Sequence, residues 1–287
     1  MRDWVKADFG IELVELRRVE HGADVAADVW HGVADDGARY AVKWSGGAMS
    51  TGLVVASRLA QLGVAGVPAP LPTTEGGLWS EREGRRLSLV PWVSDRGALG
   101  GGMTAEHWSS FGTLLARTHA QAQELPRSNS HEQWRAAARE LDASDLPLRR
   151  AVEALLRRAD ELAPVVAAQD APHVVCHGDP HLGNVLLGDD QVWLIDWDDA
   201  VLAPREQDLL FVLGGVLPFA PVTERQQAWF FEGYGPVEID PARLAYYRCT
   251  RALEDLIVPA RTGDEDAAEI VRGVLSPTGL VTSALRR

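Results

Sequence analysis

The stretch HGDPHLGN, residues 177–184, and the LIDWDD that follows at 194–199 gather the side chains of this sequence best suited to chemistry. Asp179, Asn184, Asp196, Asp198 and Asp199 sit among Val, Leu, Ile and Trp, where an unsatisfied polar group costs about 2 to 7 kcal/mol. Local pattern indicates how they meet. VVC reads as a short strand, HGDPHLGN as a loop, and VLLGDDQVWLID as a hairpin turning at Gly188 to Asp190. The hairpin folds the chain back, so Asp196 at the end of its second strand returns close to Asn184 at the start of its first. A carboxylate and an amide oxygen brought together make a hard-oxygen site suited to magnesium, which completes its shell with waters and phosphate oxygens. Asp179 remains to orient or deprotonate a nucleophile. A zinc set drawn from Cys176, His177, Asp179 and His181 has spacings that fit no structural zinc pattern.

Two kinds of element must position these groups. Up to about residue 95 short β-like runs dominate: VAADVWHGV and RYAVKW form a hairpin across ADDGA, and GLWSEREGRRLSLVPWV forms a second, turning around Gly84. Between them TGLVVASRLAQLG is a helix closed by Gly63. After the glycine-rich SDRGALGGG, helical periodicity takes over. Thr104 is placed to cap a helix whose Trp108, Phe111 and Leu115 share a face. Leu148, Val152, Leu155, Leu156 and Leu162 form a second stripe, and AQELPRSNSHEQW between the two helices reads as a surface loop.

The 287 residues can bury a sizeable core. Their net charge of −13 argues against a sequence-independent nucleic-acid surface, which needs basic patches, and suits a cationic small molecule. Two cysteines cannot form a disulfide framework, and the charged MRDWVKADFGIELVEL does not read as a signal peptide, so a cytoplasmic protein is expected. No apolar run reaches the length of a membrane span.

HGDPHLGN followed by LIDWD resembles the catalytic loop and metal-binding aspartate of the aminoglycoside phosphotransferase and choline kinase-like family, whose fold is that of the protein kinases. The likeness extends in order along the chain, with YAVKW as the lysine strand, LSLVPWV as the interlobe hinge and APREQDLLFV after the catalytic stretch. The wording of IDWDDAVLAPREQDLLFV and RALEDL resembles most the spectinomycin-phosphorylating branch. The resemblance implies a mixed α/β, bilobal protein-kinase-like fold. Residues 1–93 would be a small β-rich nucleotide-binding lobe with its hinge at 89–93, and residues 94–287 a larger helical lobe carrying the catalytic loop and acceptor site. It implies Asp179 as the catalytic base, Asn184 and Asp196 as magnesium ligands, and Lys43 on the α- and β-phosphates of ATP, with GTP as the alternative donor. His177 would hold the loop by a hydrogen bond, and Asp208 would brace it.

Pro91 has no N–H, so the backbone of Leu89, Val90 and Trp92 is expected to serve adenine. The phosphate-covering loop EHGADVAADVW contains only Gly22, which leaves the amides of Ala23 and Asp24 to approach the phosphates. No Asp or Glu occurs between Lys43 and Glu75, so the lysine lacks the helix glutamate of protein kinases and is expected to pair with Asp196 and the nucleotide. A cationic, hydroxyl-bearing acceptor would meet Glu254 and Asp255 first, and Asp198 and Asp199 near the catalytic centre second. The activity expected is O-phosphorylation of an aminoglycoside or aminocyclitol, with a choline, homoserine or methylthioribose type of metabolite kinase, or a catalytically silent nucleotide-binding protein, as alternatives. A protein kinase is disfavoured: no A-P-E is present, and the D-F-G at Asp8 to Gly10 stands ahead of HGDPHLGN rather than after it, where a kinase would need it.

Overall fold

A computed structural model of the protein describes residues 1–19, 27–46, 51–100, 102–122, 125, 130–141, 145–213, 220–262 and 265–286. These form two compact units, one of Met1–Met103 with Gly183–Asp199, the other of Thr104–Leu182 with Ala200–Arg287. Packing therefore carries the first unit ten residues past the hinge read from the sequence, and assigns to it the hairpin that follows the catalytic loop.

In the first unit, helix α1 (Arg2–Phe9) precedes strands β1 (Leu13–Arg18), β2 (Ala27–Ala34) and β3 (Arg39–Ser45). Helix α2 (Thr51–Gln61), then β4 (Ser80–Arg82) and β5 (Arg85–Pro91), complete a five-stranded antiparallel sheet of order β1-β2-β3-β5-β4. Both hairpins expected from the sequence are present. The second turns through Glu83 and Gly84, both at positive φ (54° and 72°), the conformation whose twist matches that of the flanking strands. Alternation sets the two faces: Val42, Leu87 and Leu89 join Val5 and Phe9 of α1 in the core, so Lys43, one residue on from Val42, points the other way. Helix α1 has no counterpart in the expectation. Its charges hide two core residues, Val5 and Phe9, four positions apart.

The second unit is helical: α3 (Ala105–His119), α4 (Ser130–Glu140) and α5 (Leu146–Ala167) lead into strand β6 (Val174–Cys176). The chain then makes β7 (Val185–Leu187) and β8 (Val192–Leu194) within the first unit. It returns through β9 (Val201–Ala203), which pairs with β6, to α6 (Glu206–Leu213), α7 (Glu224–Tyr234), α8 (Pro241–Thr262), α9 (Glu265–Val274) and α10 (Leu280–Leu285). Thr104 caps α3 as expected, accepting from the His107 N–H while the His107 side chain returns to the Thr104 N–H. The expected stripe of α5 packs Leu148, Val152, Leu155 and Leu162 against Leu253, Leu256 and Ile257 of α8, with Leu156 half-buried at its margin. The loop expected up to Trp134 gives way to helix from Ser130, because Trp134 and Ala138 join this core and the burial outweighs the polar residues around them. No helix among the described residues is long and apolar enough to cross a membrane.

Candidate active site

The groups singled out in the sequence fall into two sets, one in each unit. In the first, the β7–β8 hairpin is pinned by backbone hydrogen bonds from Leu187 N–H to the Arg96 carbonyl and from Leu194 N–H to the Gly66 carbonyl, both 2.8 Å. At its open end Ile195 N–H donates to the Asn184 carbonyl at 3.0 Å. That bond sets Asn184 beside the backbone leading into Asp196, as the fold-back of the hairpin requires. Asp196 adopts a left-handed backbone (φ 63°), a conformation Asp tolerates better than most residues, and Trp197–Asp199 follow as a single 3-10 turn. The Trp197 indole N–H donates to the Leu194 carbonyl at 2.9 Å and the ring is buried, fixing that turn from below.

Lys43 reaches this turn from β3. Its Nζ donates to Asp196 Oδ1 at 2.9 Å and to Asp198 Oδ2 at 2.8 Å. Burial opposes the ammonium, but the charges and hydrogen bonds of the two carboxylates outweigh it and raise the lysine pKa above its ordinary value. The expected pairing with Asp196 is present, and Asp198, expected near the acceptor, is the second partner. Helix α2 contributes no carboxylate; it contributes a missing side chain. A Cβ at Gly52 would stand 2.6 Å from the Trp197 carbonyl carbon and oxygen and 2.8 Å from Asp198 N. The helix thus rests directly on the backbone of the turn that carries both lysine partners.

Of the expected adenine contacts, the Leu89 carbonyl accepts from Leu71 N–H at 2.8 Å, and Trp92 N–H donates to the Arg39 carbonyl at 2.9 Å. The Trp92 donor is committed to that bond, whereas a carbonyl retains a second lone pair. Val90 lies opposite Ala41, on the same face of the sheet as Lys43. Ala23 and Asp24 lie outside the described residues.

The second set surrounds Asp179. Asp208 on α6, fully buried, accepts from His177 N–H at 2.8 Å and Gly178 N–H at 2.9 Å, and its Oδ2 lies 3.0 Å from His119 Nε2, whose Nδ1 lies 2.6 Å from the Tyr234 hydroxyl. His177 Nδ1 accepts from Asp179 N–H at 3.2 Å. Both loop-holding roles expected of His177 and Asp208 correspond to hydrogen bonds. The metal-capable trio among the described residues is His119, Cys176 and Asp208, not the zinc set weighed from the sequence; His119 and Asp208 already serve this brace, and the Cys176 thiol donates to the Ala203 carbonyl at 3.6 Å.

Asp179 itself is held from α8. Arg251 Nη1 donates to Asp179 Oδ1 at 2.7 Å, and Arg251 Nε donates to Asp255 Oδ1 at 2.8 Å, with Glu254 Oε2 at 3.9 Å from Nη1. The guanidinium lies 5.1 Å from the ring centre of Phe211. Burial works against the Asp179 carboxylate, yet the charges of Arg251, His181 and His177 and the Arg251 hydrogen bond prevail and hold its pKa below the usual value. Asp255 shows the opposite balance, its pKa raised by burial despite Arg251. The spacing of Arg251 to Glu254 and Asp255 is visible in sequence as i, i+3 and i, i+4 on one helix. Its reach to Asp179 crosses 72 residues and leaves no local trace.

One set thus presents an ammonium, carboxylates and an amide, groups that grip a polyphosphate and a divalent cation. The other presents a carboxylate held ionised on a braced loop. A sequence profile described as the phosphotransferase enzyme family matches residues 20–247. No curated protein matches the chain. Among solved structures, a spectinomycin phosphotransferase in complex with ADP and spectinomycin is 24% identical, with 99% of this chain and 96% of that one covered and a TM-score of 0.84. An amicoumacin kinase with AMP-PNP and Ca2+ is 15% identical over 98% and 93% of the two chains, TM-score 0.70. An aminoglycoside-3'-phosphotransferase of type VIII is 26% identical over 82% and 92%, TM-score 0.60.

Proposed function

The chain belongs to the phosphotransferase enzyme family, and on that premise we propose that it transfers the γ-phosphoryl group of ATP, with GTP as the alternative donor, to a hydroxyl of a small cationic acceptor of the aminoglycoside or aminocyclitol class. The observation that carries this reading is the state of Lys43: a lysine with no carboxylate on the neighbouring helix is nevertheless held, by Asp196 and Asp198 at 2.9 and 2.8 Å. A silent nucleotide-binding chain needs no such grip; of the two features that favour that alternative, the missing helix glutamate and the glycine-poor loop, the first has a substitute in Asp198.

Lys43 takes the α- and β-phosphates, and the backbone around Val90 takes the base. Asn184 and Asp196 supply oxygen donors on the two arms of one hairpin, a set that fits magnesium; when bound, the ion would neutralise charge on the β- and γ-phosphates. Asp179 orients the acceptor hydroxyl and accepts its proton as the acceptor oxygen bonds to the γ-phosphorus and the bond to the departing ADP oxygen breaks. Because Arg251 keeps Asp179 a weak base, its larger contribution is orientation, with the proton moving late. Glu254, Asp255, Asp198 and Asp199 are the acids assigned to the acceptor's ammonium groups. Of these, Asp255 is also held by Arg251 and Asp198 by Lys43.

The likeness in architecture to a spectinomycin phosphotransferase supports an aminocyclitol acceptor. Incubation with MgATP and a panel of aminocyclitols, aminoglycosides and amino-alcohols tests it: phosphorylation of an aminocyclitol or aminoglycoside hydroxyl is expected, and transfer to choline or homoserine in its place would redirect the acceptor assignment.

A further inference from the structure

Arg251 takes no part in the chemistry read from the sequence, yet it occupies the position most able to govern Asp179. Its guanidinium is four-fifths buried and spans Asp179 Oδ1 at 2.7 Å and Asp255 Oδ1 at 2.8 Å through two different nitrogens. A planar fork held at both ends cannot rotate without breaking one bond, and its Cζ lies over the Phe211 ring. The carboxylate it holds sits on a loop that Asp208 already fixes through two backbone N–H groups. The backbone of Asp179 is therefore placed by α6, and its side-chain rotamer by α8.

We propose that Arg251 is a positioning residue for phosphoryl transfer, fixing the plane of the Asp179 carboxylate through Oδ1 so that the acceptor hydroxyl meets a single preset orientation. Asp255, on this account, is the anchor of the arginine. The proposal rests on the reading of Asp179 as the base. Free rotation of a carboxylate at the reacting centre spreads the acceptor oxygen over several approaches, and small misplacements there reduce rate by roughly ten- to hundred-fold. The guanidinium also adds a fixed positive charge beside the base. Among the described residues, the charged or titratable groups facing Asp179 besides Arg251 include His177 and His181 on its own loop and Asp255 on α8, with His181 Nε2 at 3.4 Å from Oδ2 and Glu254 Oε2 at 3.9 Å from Arg251 Nη1.

Removing Arg251 alone would strand the buried Asp255 carboxylate and endanger the fold. The test therefore compares Arg251→Met/Asp255→Asn with Asp255→Asn, alongside Arg251→Lys and Asp179→Asn. The double variant is expected to lose kcat by roughly ten- to hundred-fold relative to Asp255→Asn, with ATP affinity by calorimetry unchanged and the acid limb of its kcat/KM profile moved to higher pH. Arg251→Lys, which keeps the charge but not the fork, should keep the acid limb in place and recover part of kcat. Equal kcat and coincident acid limbs in the double variant and Asp255→Asn would overturn the proposal. So would a kcat loss matched by lost ATP affinity and melting temperature, the mark of a structural role. Asp179→Asn separates the two layers: if it turns over like wild type, the base assignment fails, whereas an inactive Asp179→Asn beside an unaffected double variant refutes Arg251 alone.

Discussion

At the scale of single residues, each unit holds one cation between two carboxylates: Lys43 between Asp196 and Asp198 in the first, and Arg251 between Asp179 and Asp255 in the second. Asp198→Asn leaves the lysine with one ionic partner. A charge-assisted hydrogen bond is worth about 1.5 to 3 kcal/mol when buried and less where one partner is half-exposed, so kcat/KM for ATP should fall by roughly ten-fold. Steady-state kinetics with each substrate varied in turn check this; an unchanged acceptor KM goes with the lysine role, and a raised acceptor KM with intact ATP kinetics would return Asp198 to the acceptor. The sign of the Asp179 shift gives a pH prediction. Its folded pKa lies below the unfolded value, so its ionised form contributes stability that is complete above the unfolded pKa and lost as pH falls through the folded one. The acid limb of kcat/KM should accordingly lie below the ordinary aspartate value of about 3.9, and a limb well above it would contradict the Arg251 pairing. Lys43, raised above its ordinary value, should not contribute the basic limb.

At the scale of elements, α2 seats directly on the backbone of the turn that carries both lysine partners. Gly52→Ala sets a methyl group against backbone that cannot swing aside. Overpacking of this kind costs about 1 to 3 kcal/mol, and it should lower the melting temperature and reduce turnover together. Differential scanning fluorimetry and a kcat measurement decide the matter; a variant with wild-type stability and rate would show that the seat has slack. The hairpins, α2, the cap at Thr104 and the α5 stripe were legible because local periodicity and turn chemistry determine them. So was the fold-back that brings Asn184 toward Asp196, since a hairpin with a Gly-Asp-Asp turn has little choice. Helix α1 and the start of α4 were missed because their polar residues mask a few core contacts. The Arg251–Asp179 and Lys43–Asp198 pairs were missed for a different reason: they join residues 72 and 155 positions apart, and only tertiary packing selects which of many acids each cation meets.

At the scale of the whole molecule, a net charge of −13 surrounds a reaction whose proposed acceptor is cationic. Long-range attraction of this kind acts on encounter and is screened by salt. Raising ionic strength should lower kcat/KM for a polycationic acceptor while leaving kcat at saturation nearly constant, and a salt-independent kcat/KM would place acceptor recognition in short-range contacts alone. The division into two compact units assigns Lys43, Asn184, Asp196 and Asp198 to one and Asp179 to the other, although Asp179 and Asn184 are only five residues apart in sequence. The central claim is that Asp179 directs a phosphoryl group from ATP onto an acceptor hydroxyl, and single-turnover transfer by wild type and Asp179→Asn, read by mass spectrometry of the acceptor, tests it most directly. The account predicts one added phosphate on the acceptor with wild type and a loss of at least about 100-fold in rate with the variant, while calorimetry shows both binding MgATP alike. Transfer by Asp179→Asn at the wild-type rate, or hydrolysis of ATP by wild type with no acceptor phosphorylated, would contradict it.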